Sequence, residues 1–123
     1  MRRTLLRSKI HRATVTDASV DYEGSITIDS DLMHAAGLAE YELVHVADVT
    51  SGARLETYVM AGPAGSGVIR MNGAAARVVN VGDKIIIMAY AQVEEPVPPS
   101  WEPEIVLVDE QNRIREVRHA SVH

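Results

Sequence analysis

The chain has 123 residues, a net charge of −5 and 46% hydrophobic residues, but no cysteine and no phenylalanine, so one domain is expected with an interior of Val, Ile, Leu, Ala and Met. Without cysteine there are no disulfides, no thiolate catalysis and no Cys-ligated zinc. No apolar run approaches the ~18 residues of a membrane helix and no signal-like stretch follows the basic N-terminus, so a cytoplasmic protein with no membrane partner is expected.

Residues 3–10 alternate as a strand, with Arg7, Lys9 and His11 on one face and Leu6 and Ile10 on the other. Arg2, Arg3, Arg7, Lys9 and Arg12 give this end cations and no acid. An anion can be recognised there, but the acidic remainder and the lack of interleaved aromatics argue against nucleic acid. A solvated strand or a self-association surface is the plainer reading.

A second extended stretch, residues 13–20, leads into residues 22–28, which read as a strand rather than a turn. Tyr22, Gly24, Ile26 and Ile28 then share a face. A glycine inside a strand suggests a bulge, a close approach or a strained bond. Ser25 follows it with a hydroxyl that can attack the Gly24 carbonyl, exchange amide for ester and open a route to chain scission. Taken alone, the dipeptide has the commoner meaning of a simple bulge.

Asp29 or Ser30 caps a short helix over residues 31–36, and Gly37 stops it. Residues 41–50 and 54–61 form a hairpin through Ser51-Gly52. The second strand sets Arg54, Glu56 and Tyr58 on one side, with Thr57 opposite or at a bend. Residues 62–67 are a loop containing a second Gly-Ser pair, Gly65-Ser66, whose ordinary meaning is flexibility.

Residues 68–71 are a short strand, Asn72-Gly73 a turn, and Ala74-Ala75-Ala76 a stretch able to open a helical turn. Val81-Gly82-Asp83 turns the chain into residues 84–93, the most apolar strand. The core is expected over residues 1–93. Residues 94–123 are expected as a Pro-rich arm and C-terminal tail, packed on or extending from the same domain. In them residues 105–108 and 114–117 can pair. Short strands at this spacing suggest a small, mainly β barrel.

Phosphate-loop, zinc-helix and nucleophile-elbow motifs are absent. The histidines at 11, 34, 45, 119 and 123 do not cluster, and no metal is expected. Asn72 offers an amide, followed by backbone N–H groups that no bulky side chain shields.

Taken together, Lys9-Ile10-His11-Arg12, Tyr22-Glu23-Gly24-Ser25, Thr57-Tyr58, Asn72-Gly73-Ala74-Ala75-Ala76 and Val81-Gly82-Asp83 closely resemble the pyruvoyl-dependent aspartate 1-decarboxylases, in order and in position. The resemblance covers almost the whole core. Residues 62–67 lack a charged pair often found there, and the tail is individual.

The resemblance implies a six-stranded double-ψ β-barrel with short helices, assembled as a homotetramer with sites between subunits. It implies cleavage between Gly24 and Ser25 that turns Ser25 into a covalent pyruvoyl cofactor, with Thr57 assisting the processing. The activity implied is conversion of L-aspartate to β-alanine and carbon dioxide through a Schiff base at position 25, for pantothenate biosynthesis. Tyr58 is the implied proton donor. Lys9, Arg54, Thr57, Asn72, Gly73, Ala74 and Ala75 are the implied substrate contacts, with Tyr22 and His11 as further lining. Whether maturation is spontaneous or uses a helper protein stays open. Two rival readings remain: a non-catalytic barrel binding a small anion through Arg54 and the Asn72 turn, and an assembly or nucleic-acid-binding barrel using the basic first strand.

Overall fold

A computed structural model describes residues 1–119; residues 120–123, with His123 and the end of the tail, lie outside the described residues. The elements are β1 (Arg2–Thr14), β2 (Asp17–Ser19), β3 (Ser25–Asp29), α1 (Ser30–Ala36), β4 (Leu43–Asp48), β5 (Arg54–Gly62), β6 (Ile69–Asn72), a 3-10 helix (Gly73–Arg77), β7 (Lys84–Glu94), β8 (Glu104–Val108) and β9 (Ile114–Arg118).

The class is mainly β, as expected. All nine strands share one sheet in the order β2-β6-β3-β5-β4-β7-β1-β8-β9, and among the described residues the pairing does not close a ring. Setting aside the three-residue β2 and the hairpin β8–β9 leaves the six strands of the expected double-ψ body. Its pairings are mixed: β3 runs parallel to β5 and antiparallel to β6, while β4 joins β5 and β7 antiparallel. One α-helix and one 3-10 turn account for the expected short helices.

Alternation along these strands sends branched aliphatic residues to one side. Ile10, Ile26, Ile28, Val44, Val59, Ile69, Met71 and Ile85 are wholly buried, and no aromatic ring joins them among the described residues. Each such side chain contributes roughly 1.5–3 kcal/mol of burial, so the sheet needs no larger residue to hold. Past residue 93 the chain adds to this interior, because β8 contributes Val106 and Val108 to it and pairs in parallel with β1. The Trp101 indole N–H donates to the Leu6 carbonyl at 3.0 Å, fastening the proline segment beside it.

Two polar devices hold the turns. Asp29 caps α1, its carboxylate accepting the Asp31 N–H at 2.8 Å and also the N–H groups of Gly65 and Gly67 at 3.0 and 2.8 Å, so one buried acid organises both the helix start and the 62–67 loop. Asp83, from the Val81-Gly82-Asp83 turn, lies against Asp48. Hydrogen bonding to Asp48 raises the Asp83 carboxyl above the ordinary aspartate range. Burial opposes the Asp48 charge, but hydrogen bonds from Asp83, Ser51 and Thr50 outweigh it and hold that carboxyl low. The two acids thus act on each other's proton affinity where the end of β4 meets the residue before β7.

The first long strand reading needs correction. Residues 22–24 are irregular and β3 begins at Ser25, so the Gly24–Ser25 bond is the entry to a strand rather than its middle. The extended stretch after Ala13 is likewise broken between Thr14 and Asp17.

Candidate active site

Sheet register brings the critical residues together. Ser25 pairs with Asn72 across β3 and β6, while Ile26 pairs with Val59 on the opposite side, which sets Ser25 level with Tyr58 on β5. Ser25 is 4% exposed, and its hydroxyl accepts a hydrogen bond from Asn72 Nδ2 at 2.9 Å and donates to the Glu23 carbonyl at 3.3 Å. The same amide nitrogen donates to Thr27 Oγ1 at 3.0 Å, and its companion Oδ1 is buried with no partner among the described residues. An unmatched buried acceptor is costly in a dry interior, so the side chain points into a place where another donor belongs.

Gly73 explains the close approach that the sequence suggested at Gly24. Its φ is +66°, and a Cβ there would lie 2.7 Å from the Gly24 nitrogen, 2.8 Å from the Gly24 Cα and 2.9 Å from the Tyr22 carbonyl oxygen. Gly24 itself has open space where a Cβ would stand and is not among the glycines with positive φ. In place of the expected strain at Gly24, the structure shows a close approach that Gly73 permits by lacking a Cβ. Only a residue without a side chain lets the Asn72 turn seat against the 22–24 segment.

Against this contact lies a cleft of about 360 Å³ lined by Gly24, Leu55, Glu56, Thr57, Tyr58, Ala74, Ala75 and Val78. Five expected site residues thus meet at one cleft, and Ser25, Asn72 and Gly73 stand beside it. Arg54 lines a neighbouring cleft of about 420 Å³ with His45, Val46, Leu55 and Glu56; Leu55 and Glu56 are common to both. The Arg54 guanidinium is exposed and makes no ion pair or hydrogen bond among the described residues.

Lys9 lines neither cleft. It pairs with Met88, which pairs with His45, which pairs with Glu56, so Lys9 shares a sheet face with Glu56 at a distance of three strands, roughly 14 Å. His11 stands in a separate cleft beside Arg12, Lys84 and Arg115, where burial first and then the charges of Lys9 and Arg12 lower its basicity. Tyr22 is exposed and meets the site through its backbone oxygen.

Sequence reading missed several neighbours. Tyr41 sits with φ at 68°, a conformation uncommon for a bulky residue, and its ring lies 6.4 Å from that of Tyr58. No turn signal marks it. His45 bridges Tyr90 and Glu56, contacts between strands that a one-dimensional pattern does not reveal. Among the described residues no group of three or more His, Asp or Glu is arranged to hold a metal ion, and no helix is long and apolar enough to cross a membrane.

The chain is similar to known proteins over most of its length. The aspartate 1-decarboxylase of Carboxydothermus hydrogenoformans is 51% identical over 120 residues, covering 98% of this chain and 94% of that protein. Those of Lactiplantibacillus plantarum and Corynebacterium efficiens are each 59% identical, over 110 and 114 residues, covering 89% and 93% of this chain and 85% and 84% of their own. Among solved structures, the computationally designed msDPBB_sym2 protein aligns with a TM-score of 0.42 at 21% identity, covering 71% of this chain and 96% of its own. The sequence model of the family described as aspartate decarboxylase matches residues 1–115, a span that includes every residue gathered at both clefts, and the chain belongs to that family.

Proposed function

We propose that this chain is an aspartate 1-decarboxylase that makes its own electrophile at Ser25, releasing β-alanine and carbon dioxide and serving pantothenate biosynthesis. The observation that carries the reading is the seating of a buried Ser25 hydroxyl against Asn72 Nδ2, with Gly73 close beside Gly24 at a cleft lined by Tyr58 and Thr57.

In processing, Ser25 Oγ attacks the Gly24 carbonyl carbon, the C–N bond breaks and the residue 25 nitrogen gains the proton. Loss of the residue 25 α-proton and cleavage of the Cβ–Oγ bond then free the Gly24 carboxylate. Water replaces the remaining nitrogen, which leaves as ammonia, and position 25 becomes a keto acyl cap on the long fragment. Holding the attacking oxygen beside its target gives effective molarities on the order of 10⁵ M or more. Thr57, the expected hydroxyl donor, stabilises the oxyanion during attack.

The surroundings fit a pyruvoyl group. Space adjoins Gly24, Asn72 Nδ2 is aimed at position 25, and Asn72 Oδ1 lacks a donor among the described residues. When present, that group supplies a ketone able to take up an amine and accept the electron pair left by departing carbon dioxide.

The chain's own residues do the rest. Arg54 presents a planar fork to one substrate carboxylate. Backbone N–H groups of Gly73, Ala74 and Ala75 hold the other, the small side chains permitting approach. Asn72 orients the amine end. Tyr58 returns a proton to Cα from its phenolic O–H. Lys9, three strands away in its own chain, serves as a second cation when a neighbouring copy presents it, which is the reason to expect a homotetramer with sites between subunits.

Intact mass under denaturing conditions tests the processing: two fragments, the larger ending in a ketone, are expected. Trapping with aspartate plus borohydride then adds mass to that fragment alone. A single full-length mass from a matured sample would overturn the proposal and favour the anion-binding barrel.

A further inference from the structure

The proposed use of Arg54 meets an electrostatic obstacle inside its own strand. Glu56 lies two positions on, on the same face of β5, about 6.6–7 Å away along the strand, within reach of two long side chains. A carboxylate so close can fold onto the guanidinium and occupy the fork that a substrate carboxylate needs. It does not do so. Glu56 Oε1 stands 3.3 Å from His45 Nε2 on the paired strand, and His45 Nδ1 lies 2.9 Å from the Tyr90 hydroxyl, the two rings meeting edge to face with centroids 5.0 Å apart.

Chemistry assigns direction to this chain of contacts. The Tyr90 O–H has two acceptors in reach, His45 Nδ1 at 2.9 Å and Met88 Sδ at 3.9 Å; the nearer and stronger nitrogen takes it, so the imidazole carries its proton on Nε2 and directs it at Glu56. His45, Arg54 and Glu56 line the same cleft, the acid drawn to His45 and the guanidinium left without a partner among the described residues.

We infer that His45, oriented by Tyr90, is a positioning residue for substrate binding: it keeps Glu56 off Arg54 and so leaves the arginine open to a dicarboxylate. This rests on the proposed use of Arg54. His45 touches neither substrate nor position 25 in this account, and its influence falls on affinity rather than on the chemical step.

Steady-state kinetics of the processed protein test it. Removing His45 (His45→Ala) is expected to raise KM for aspartate about two- to fivefold, the scale of one exposed charge pair, with kcat within about twofold of the parent. Restoring KM by adding Glu56→Gln to that variant is the decisive readout, since a merely structural role for His45 would not be rescued by neutralising the acid. Tyr90→Phe keeps the ring and removes the hydroxyl, so it should shift KM the same way by less, and it serves if His45→Ala folds poorly. A KM unchanged in both His45→Ala and Tyr90→Phe, or a rise that persists in the double variant, overturns the inference while aspartate decarboxylation stands. A processed parent protein that releases no carbon dioxide from aspartate overturns the functional reading, and this inference with it.

Discussion

Two Gly-Ser dipeptides in one chain meet opposite fates. Ser25 is buried, its hydroxyl taken up by Asn72, and the backbone before it runs so close to Gly73 that a Cβ there would clash. Ser66 is exposed; its hydroxyl donates to the Pro63 carbonyl at 2.6 Å and accepts the Val68 N–H at 3.2 Å, closing a local turn. Gly65 has a φ of 75° and offers its N–H to Asp29. On the proposed function the dipeptide is chemically silent until the fold surrounds it: the neighbours that order the hydroxyl and close on the Gly24 backbone, not the pair of residues, set the two apart.

The largest test of that contrast is paired substitution of the serines. Ser25→Ala should leave a folded, full-length chain with no decarboxylation, read by intact mass and carbon dioxide release. Ser66→Ala should cleave and turn over like the parent, losing at most about 1 kcal/mol of stability for its local hydrogen bonds. Cleavage lost in both variants would show that the surroundings do not distinguish the two dipeptides.

Next in size, Tyr58→Phe separates the two tasks assigned to the Gly24 end. It should mature normally but lower kcat by roughly 10²-fold or more, the range for loss of a positioned proton donor. Impaired maturation would instead give Tyr58 a part in cleavage. Asn72→Ala strips the donor from the Ser25 and Thr27 hydroxyls, and it should slow cleavage by about tenfold in a time course followed by mass.

Much of this region was legible in the sequence, for identifiable reasons. The Gly37 stop and the Asp29 cap follow from local backbone chemistry, and α1 falls where these residues predict it. Thr57, Tyr58, Ala74 and Ala75 were grouped by a resemblance to whole motifs, and the register of β3 between β5 and β6 accounts for their meeting. The strand start was misread at residues 22–24 because alternation continues through a segment that Gly73 packs against, and a long-range contact leaves no trace in local pattern. His45 and Glu56 escaped for the same reason: only the β4–β5 pairing makes them opposite each other. Lys9 is the converse case, a residue that motif order assigns to the site and that strand order keeps apart from it within one chain.

The smallest effects come from placing one methyl group at each of two glycines, and they sharpen the comparison most. Gly65→Ala and Gly73→Ala both force an L side chain to positive φ, a strain of roughly 1–2 kcal/mol each. At Gly65 the new Cβ meets nothing closer than Asp31 Oδ2 at 3.8 Å, so strain is the whole cost and cleavage should proceed at the parent rate. At Gly73 the Cβ would lie 2.7 Å from the Gly24 nitrogen, backbone that cannot yield unless the 22–24 segment moves off Ser25. Gly73→Ala should therefore match Gly65→Ala in unfolding free energy from denaturant titration to within about 1–2 kcal/mol yet fall well behind it in cleavage rate. Equal cleavage by the two variants would mean that the Gly73 contact does not set the geometry of attack, and the difference between the dipeptides would then rest on the Asn72 hydrogen bond alone.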